Sequence, residues 1–163
     1  MLDDILKEGL KLVVCGTAAG TKSAKLKQYY AGLGNKFWRT IFELALTPRQ
    51  LSPGEAEVLL DFGIGLTDLV KGQSGADSTL DFKQAGPTAL RQKVLALQPT
   101  VLCFNGKRAA QEFFRTNAIS YGEQPEHIGK TALYVAPSTS GAANGFWDLS
   151  YWRDVAESVK TPE

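Results

Sequence analysis

Two short stretches of small residues, one near each end of the chain, each follow an apolar run, and this pairing limits the possible folds more than any other feature. The first, Gly16-Thr17-Ala18-Ala19-Gly20, is fed by Leu12-Val13-Val14-Cys15; the second, Pro137-Ser138-Thr139-Ser140-Gly141-Ala142-Ala143, is fed by Ala132-Leu133-Tyr134-Val135. Apolar runs this short that stop at Gly or Ser read as buried parallel strands. In open α/β sheets, ligands bind just beyond the carboxyl ends of such strands, so the two loops are expected to meet across one cleft.

The remaining elements predict an α/β fold, a three-layer α/β/α sandwich with a central, mostly parallel sheet of four to five strands. Asp4 to Gly9 reads as a short helix, Lys11 to Cys15 as the first strand, and Lys36 to Ala45 as a helix burying Phe37, Ile41 and Leu44 at helical spacing. Ser52-Pro53-Gly54-Glu55 has the pattern of a capping box, opening a helix that runs to about Asp61. Ile64 to Leu69 is the second strand, Pro87 to Leu97 a long helix, and Val101 to Phe104 the third strand, followed by Asn105-Gly106 and a helix to about Phe114. Ile119 to Tyr121 and Thr131 to Val135 complete the strands, and Asp148 to Val159 closes the chain as a helix. One domain spanning residues 1–163 is expected, since 163 residues suffice to bury about two thirds of the unfolded surface.

Composition narrows the chemistry. Cys15 and Cys103 lie inside apolar runs, which predicts buried reduced thiols, and with His127 as the single histidine neither a zinc centre nor a four-cysteine cluster can be assembled from them. Asp3, Asp4, Lys7, Glu8 and Lys11 break up the first 20 residues, so no export signal or membrane span is expected there, and a cytoplasmic location follows. The net charge of +1 says nothing for nucleic acid, but its distribution does: Lys22, Lys25, Lys27, Lys36 and Arg39 fall between Thr17 and Thr40 without an acid among them. Interleaved with Tyr29, Tyr30, Phe37 and Trp38, such a stripe suits a phosphate backbone with an exposed base, although a merely solvated basic face has the same composition.

Taken in order, Gly16-x-x-x-Gly20, Asn35-Lys36-Phe37-Trp38-Arg39, Leu59-Leu60-Asp61 with Gly65-Leu66-Thr67, and Pro137-Ser138-x-Ser140-Gly141 resemble the motifs of the uracil-DNA glycosylase superfamily, and among its branches most closely the mismatch-specific uracil and thymine DNA glycosylases. The resemblance spans about residues 12 to 157. It implies a monofunctional glycosylase that flips uracil or another deaminated base out of DNA and hydrolyses its bond to deoxyribose, acting as a monomer without cofactor or metal.

The sequence departs from that pattern at Ala18, where the mismatch-specific branch carries an Asn that positions the attacking water. A methyl group cannot polarise water, so a polar group is needed from elsewhere. Asp68, at the end of the second strand, is the first candidate, in keeping with branches that lack a polar residue in the first loop and use an Asp from the second strand; Asp77 is the second and Asp81 a distant third. The structural alternative for Asp68 is a strand-end residue bonding a turn or a cation. For the base, the N–H groups of the Gly16 to Gly20 loop with the hydroxyl of Thr17 or Ser23 are candidate donors. By the resemblance Tyr30 is the stacking platform, with Tyr29 as its competitor, and Asn35 is a helix cap or a pocket contact. For the DNA, Lys22 and the second loop are the candidates: Ser138, Thr139 and Ser140 as phosphate donors, Gly141 for close backbone approach, and Ala142 and Asn144 beyond it. Relatives carry a bulky wedge in that loop where this chain has Ala142 and Ala143, which leaves Asn144, Phe146 or Trp147 to fill the gap and favours single-stranded or mismatched substrates.

Two alternatives to an active glycosylase remain open at this level. One is a member of the same fold that binds DNA without catalysis; the other is a nucleotide-binding α/β module, although neither a dinucleotide fingerprint nor a P-loop is present.

Overall fold

The computed structural model describes residues 2–70 and 86–160. Its five strands are β1 (Leu12–Gly16), β2 (Ile64–Asp68), β3 (Val101–Asn105), β4 (Gly122–Ile128) and β5 (Thr131–Ala136). They form one sheet in the order β2-β1-β3-β5-β4, parallel except for β4, which pairs antiparallel with β5 at the edge. The helices are α1 (Thr21–Leu26), α2 (Phe37–Glu43), α3 (Pro87–Leu97), α4 (Lys107–Phe114) and α5 (Leu149–Lys160), with 3₁₀ segments at Pro53–Phe62 and Gly141–Phe146.

The alternation of side chains along each strand divides the core into two layers. Leu12 and Val14 of β1 face one way and join Phe37, Ile41 and Trp152 of α2 and α5, whereas Val13 and Cys15 face the other way and join Leu90, Val94 and Phe113 of α3 and α4. Both faces of the parallel strands are thus covered, which explains why they read as continuous apolar runs. The register that sets Val14 beside Cys103 and Cys15 beside Phe104 puts the two thiols in opposite layers, where both are buried and neither is in a disulfide. Burial pushes the Cys103 thiol well above its ordinary range.

Three expectations need correction. Residues 4–9 do not form a helix: Ile5 exchanges backbone hydrogen bonds with Leu66, 2.9 Å in each direction, and Asp4 accepts from Thr67 and from Lys93 at 2.6 Å each. In its extended form the segment covers the open edge of β2 and gains these hydrogen bonds. Gly65 permits the approach, because a Cβ there would come within 2.6 Å of the Ile5 carbonyl oxygen. The fourth strand is Gly122–Ile128 rather than Ile119 to Tyr121; it is exposed, carries Pro125 and has an irregular register between Glu123 and His127, as edge strands tolerate. The segment after Ser52 is 3₁₀ rather than α, although its start is capped as expected: the Ser52 N–H and hydroxyl both donate to Glu55 Oε1, and the Glu55 N–H donates to the Ser52 carbonyl.

Among the described residues no helix is long and apolar enough to cross a membrane.

Candidate active site

The carboxyl ends of β1, β2, β3 and β5 finish at Gly16, Asp68, Asn105 and Ala136, and above them opens a cleft of about 720 Å³. That volume is ample for a nucleoside. The two small-residue loops do meet there, with Thr17, Ala18 and Gly20 from the first and Ser138, Ser140, Gly141 and Ala142 from the second lining the same space.

The floor of the cleft is polar and ordered. Asp68 pairs with Gly16 in the β1–β2 register and is only 6% exposed. A Cβ on residue 16 would lie 3.2 Å from Asp68 Oδ1 and 3.6 Å from the Tyr30 hydroxyl, so glycine is what lets this carboxylate and this phenol converge on the end of β1. The loop after β1 is tied down by Leu69 N–H donating to the Gly16 carbonyl at 2.9 Å and by Val70 N–H donating to that of Thr17 at 2.7 Å. Ala18 lines the cleft, as its place in the loop requires, and contributes only a methyl group.

On the other side of β1 stands Asn105, which the sequence places only in the link between the third strand and the next helix. Its side chain is 8% exposed and forms a two-bond clamp with Thr139, donating from Nδ2 to the Thr139 hydroxyl at 3.0 Å and accepting the Thr139 N–H at Oδ1 at 2.9 Å. Thr139 itself is buried, lines the cleft, and accepts the Lys36 N–H on its carbonyl at 2.9 Å. Beyond this clamp the Asn105 amide has one further hydrogen and one further lone pair, and it stands close enough to the Tyr30 hydroxyl to act on it. The signal for Asn105 was the same as for Asp68, a polar residue where a buried strand stops.

Both tyrosines line the cleft. Tyr29 is buried and gives its carbonyl to the Trp38 indole N–H at 3.1 Å; Tyr30, with φ of 53°, stacks on Phe37 with ring centres 4.3 Å apart. The Tyr30 hydroxyl is buried without a hydrogen-bond partner among the described residues. Burial, and after it the Asp68 charge, pushes both phenols well above their ordinary range, so both remain neutral donors. Phe37 and Trp38 are core, as expected.

Ser23 lines the cleft and accepts the Ala31 N–H on its hydroxyl at 2.9 Å; Asn35 also lines it and accepts the Phe37 N–H at 3.0 Å, but the N-cap position of α2 is Lys36, so Asn35 is not the helix cap expected of it. Lys22, Lys107 and Arg108 bring positive charge to the cleft, Lys107 with its ammonium 4.4 Å from the Tyr121 ring centre. Gly106, at φ +106°, starts α4 against Ser138, where a Cβ would come within 3.2 Å of the Ser138 Cβ. Asn144 does not line the cleft; it accepts a hydrogen bond from the Lys36 ammonium, which also lies 5.0 Å over the Trp147 ring. Asp77 and Asp81 fall outside the described residues. No three His, Cys, Asp or Glu side chains gather as a metal site among the described residues.

Residues 4–156 match the family model of the Uracil DNA glycosylase superfamily. The chain belongs to that superfamily. A solution NMR structure of a candidate uracil DNA glycosylase from Methanosarcina acetivorans superposes with a TM-score of 0.71 at 21% identity, covering 98% of this chain and 97% of that one. At such identity the likeness is one of fold. Asp68 is the acidic side chain that lines the cleft among the described residues.

Proposed function

We propose that this protein is a monofunctional DNA glycosylase that turns uracil out of DNA and hydrolyses its N-glycosidic bond, leaving an abasic site. The observation that carries this reading is the carboxylate of Asp68, buried beside Gly16 in a superfamily cleft whose opening loop has Ala18 in place of an amide.

Breaking the bond between N1 and C1′ moves the electron pair onto the base and leaves positive charge on the sugar. A fixed anion near the sugar and fixed donors around the base both act on that transition state. Asp68 supplies the anion, orients a water toward C1′ and accepts its proton as the hydroxyl bonds to the sugar; the proton then goes to N1 of the departing base. The N–H groups of the first loop and the spare valences of Asn105 hold the oxygens and N3–H of the ring. Tyr30 presents its ring to the extruded base, and Lys22 with the second loop holds the flanking phosphates. Within the superfamily this reading places the chain nearest the mismatch-specific branch, as a cytoplasmic monomer. It also favours substrates whose uracil is already easy to extrude, in single strands or opposite guanine.

The test is incubation of the purified protein with uracil-containing oligonucleotides followed by alkaline cleavage at abasic sites. Release is expected from single strands and from uracil opposite guanine, and less from uracil opposite adenine. Retention of uracil in all three substrates, with DNA still bound, would replace this reading with that of a non-catalytic DNA-binding member, the alternative that Ala18 favours.

A further inference from the structure

Among the described residues three cations lie over aromatic rings: Lys36 on Trp147, Arg91 on Phe113 and Lys107 on Tyr121. In the last pair both members line the cleft, and the chemistry assigned to Asp68 leaves them without a part. The sheet explains how Tyr121 comes there. The parallel strands end at the cleft, whereas β4 runs the other way and begins there, its first residue Gly122 paired with Val135 one residue before the end of β5. The residue ahead of β4 is therefore delivered to the same end of the sheet as Asp68 and Asn105.

Its place along the cleft sets it apart from the platform at Tyr30. β2 and β4 are the opposite edges of the sheet, and strands spaced about 4.8 Å apart separate their cleft ends by on the order of 15–20 Å. Tyr30 stands on the β1–β2 side, its hydroxyl beside Gly16 and Asp68, so a base lying on Tyr30 leaves Tyr121 to a different nucleotide. The Tyr121 ring is half-buried and packs on Tyr151 with ring centres 5.0 Å apart. The Lys107 ammonium, 4.4 Å from the ring centre, covers a face of it on a chain that turns aside easily, and Arg108 follows Lys107 in the wall of the cleft. A packed ring under a movable cation holds a base by stacking and its phosphate by charge. That base is an unpaired one. In a duplex each base is covered on both faces by its neighbours in the stack, and a cleft of about 720 Å³ admits nucleotides of one strand rather than a double helix.

We propose that Tyr121 and Lys107 form a second nucleotide subsite, which stacks an unpaired base flanking the extruded uracil on the same strand. The proposal rests on the reading of the cleft as a DNA site and gives that reading a physical reason for holding single strands.

The test measures affinity by fluorescence anisotropy on strands that carry one 2′-fluorinated deoxyuridine, whose fluorine disfavours positive charge on the sugar and so keeps the strand intact. In wild type, an abasic spacer is moved through the positions on either side of the uridine. One flanking position is expected at which loss of the base weakens single-strand binding by about ten-fold. Tyr121→Leu, with its fold checked by circular dichroism, is expected to weaken binding of the complete single strand by the same factor, to show no further loss with the spacer at that position, and to bind a duplex opposite guanine as wild type does. Tyr121→Phe keeps the ring and should match wild type throughout. A wild type indifferent to the spacer at every flanking position would overturn the proposal without any variant. So would a folded Tyr121→Leu variant that binds single strands normally, loses as much on duplexes, or loses still more at the spacer position, and so would a Tyr121→Phe variant as weak as Tyr121→Leu. Release of uracil from an unfluorinated strand is read separately. A wild type that releases none but shows the spacer effect, and its loss in Tyr121→Leu, retains the subsite and discards the glycosylase reading; release without a spacer effect retains that reading and discards the subsite.

Discussion

At the floor of the cleft, the candidate side chains stand on strands; at its rim they stand on turns. Asp68 and Asn105 each belong to a strand hydrogen-bonded to neighbours, are nearly buried, and have their positions set by the register of the sheet. Leu33 and Phe146 belong to a four-residue turn and a 3₁₀ segment, are open to solvent, and have their positions set by contacts between loops. The difference is the one that the two steps of the proposed activity, bond cleavage and base extrusion, would demand. Charge stabilisation at a reacting centre needs fixed groups in a site shielded from water. Opening a duplex needs apolar surface that is accessible before the DNA arrives and covered afterwards.

If the chemistry resides in the floor, the largest effect comes from the smallest change there. Asp68→Asn keeps the size of the side chain and removes its charge; base release is expected to fall on the order of 100-fold or more on every substrate, while DNA affinity measured by fluorescence anisotropy stays near wild type. An unaffected rate would move the catalytic assignment to Asp77. Asn105→Ala should have a smaller effect of a mixed kind. It removes both bonds to Thr139, whose buried hydroxyl and N–H are left unsatisfied, and a stability loss of about 1–3 kcal/mol is expected in urea denaturation. Base release should also fall by about ten-fold, alike on single strands and duplexes, because a hydrogen bond to the ring is lost wherever the base comes from. A loss confined to duplexes would place Asn105 with the rim and erase the distinction.

The floor was the more legible of the two in the sequence, for a physical reason. A buried parallel strand must be apolar along its length, so the first polar residue marks its end, and strand ends face the cleft; Asp68 is found by that rule. Asn105 obeys the same rule at the end of β3, one residue beyond where the apolar run Val101 to Phe104 stops. Helices α3 and α5 were legible from their apolar period and flanking residues, whereas β4 was not, since an exposed edge strand with Pro125 shows no periodicity to read. The bridge from Ile5 to Leu66 depends on a glycine 60 residues away from Ile5, which local pattern cannot report. The place of Leu33 at the cleft was illegible for a related reason: it depends on how its turn packs against Gly141.

A pair far from the cleft provides the control for both regions. Arg49 donates to Glu55 through two nitrogens, at 3.1 and 2.7 Å, and the Ser52 N–H donates to the same carboxylate at 3.1 Å. The Arg49 guanidinium first, and then the Ser52 backbone, lower the Glu55 carboxyl from 4.5 to about 2. A carboxyl held down in this way contributes stability that is fully present above its unfolded value and disappears as pH falls from about 4.5 through about 2. Because the pair is exposed, the contribution is small and screened by salt. Glu55→Gln should therefore lose less stability than wild type between pH 5 and about pH 2, by a margin that shrinks as salt is added, with base release at neutral pH unchanged on single strands and duplexes alike. A variant whose acid-induced loss parallels that of wild type would show that the pair contributes nothing, and a changed rate of base release would show that the 3₁₀ segment couples to the cleft, in which case the effects of Asp68→Asn and Asn105→Ala could not be treated as local.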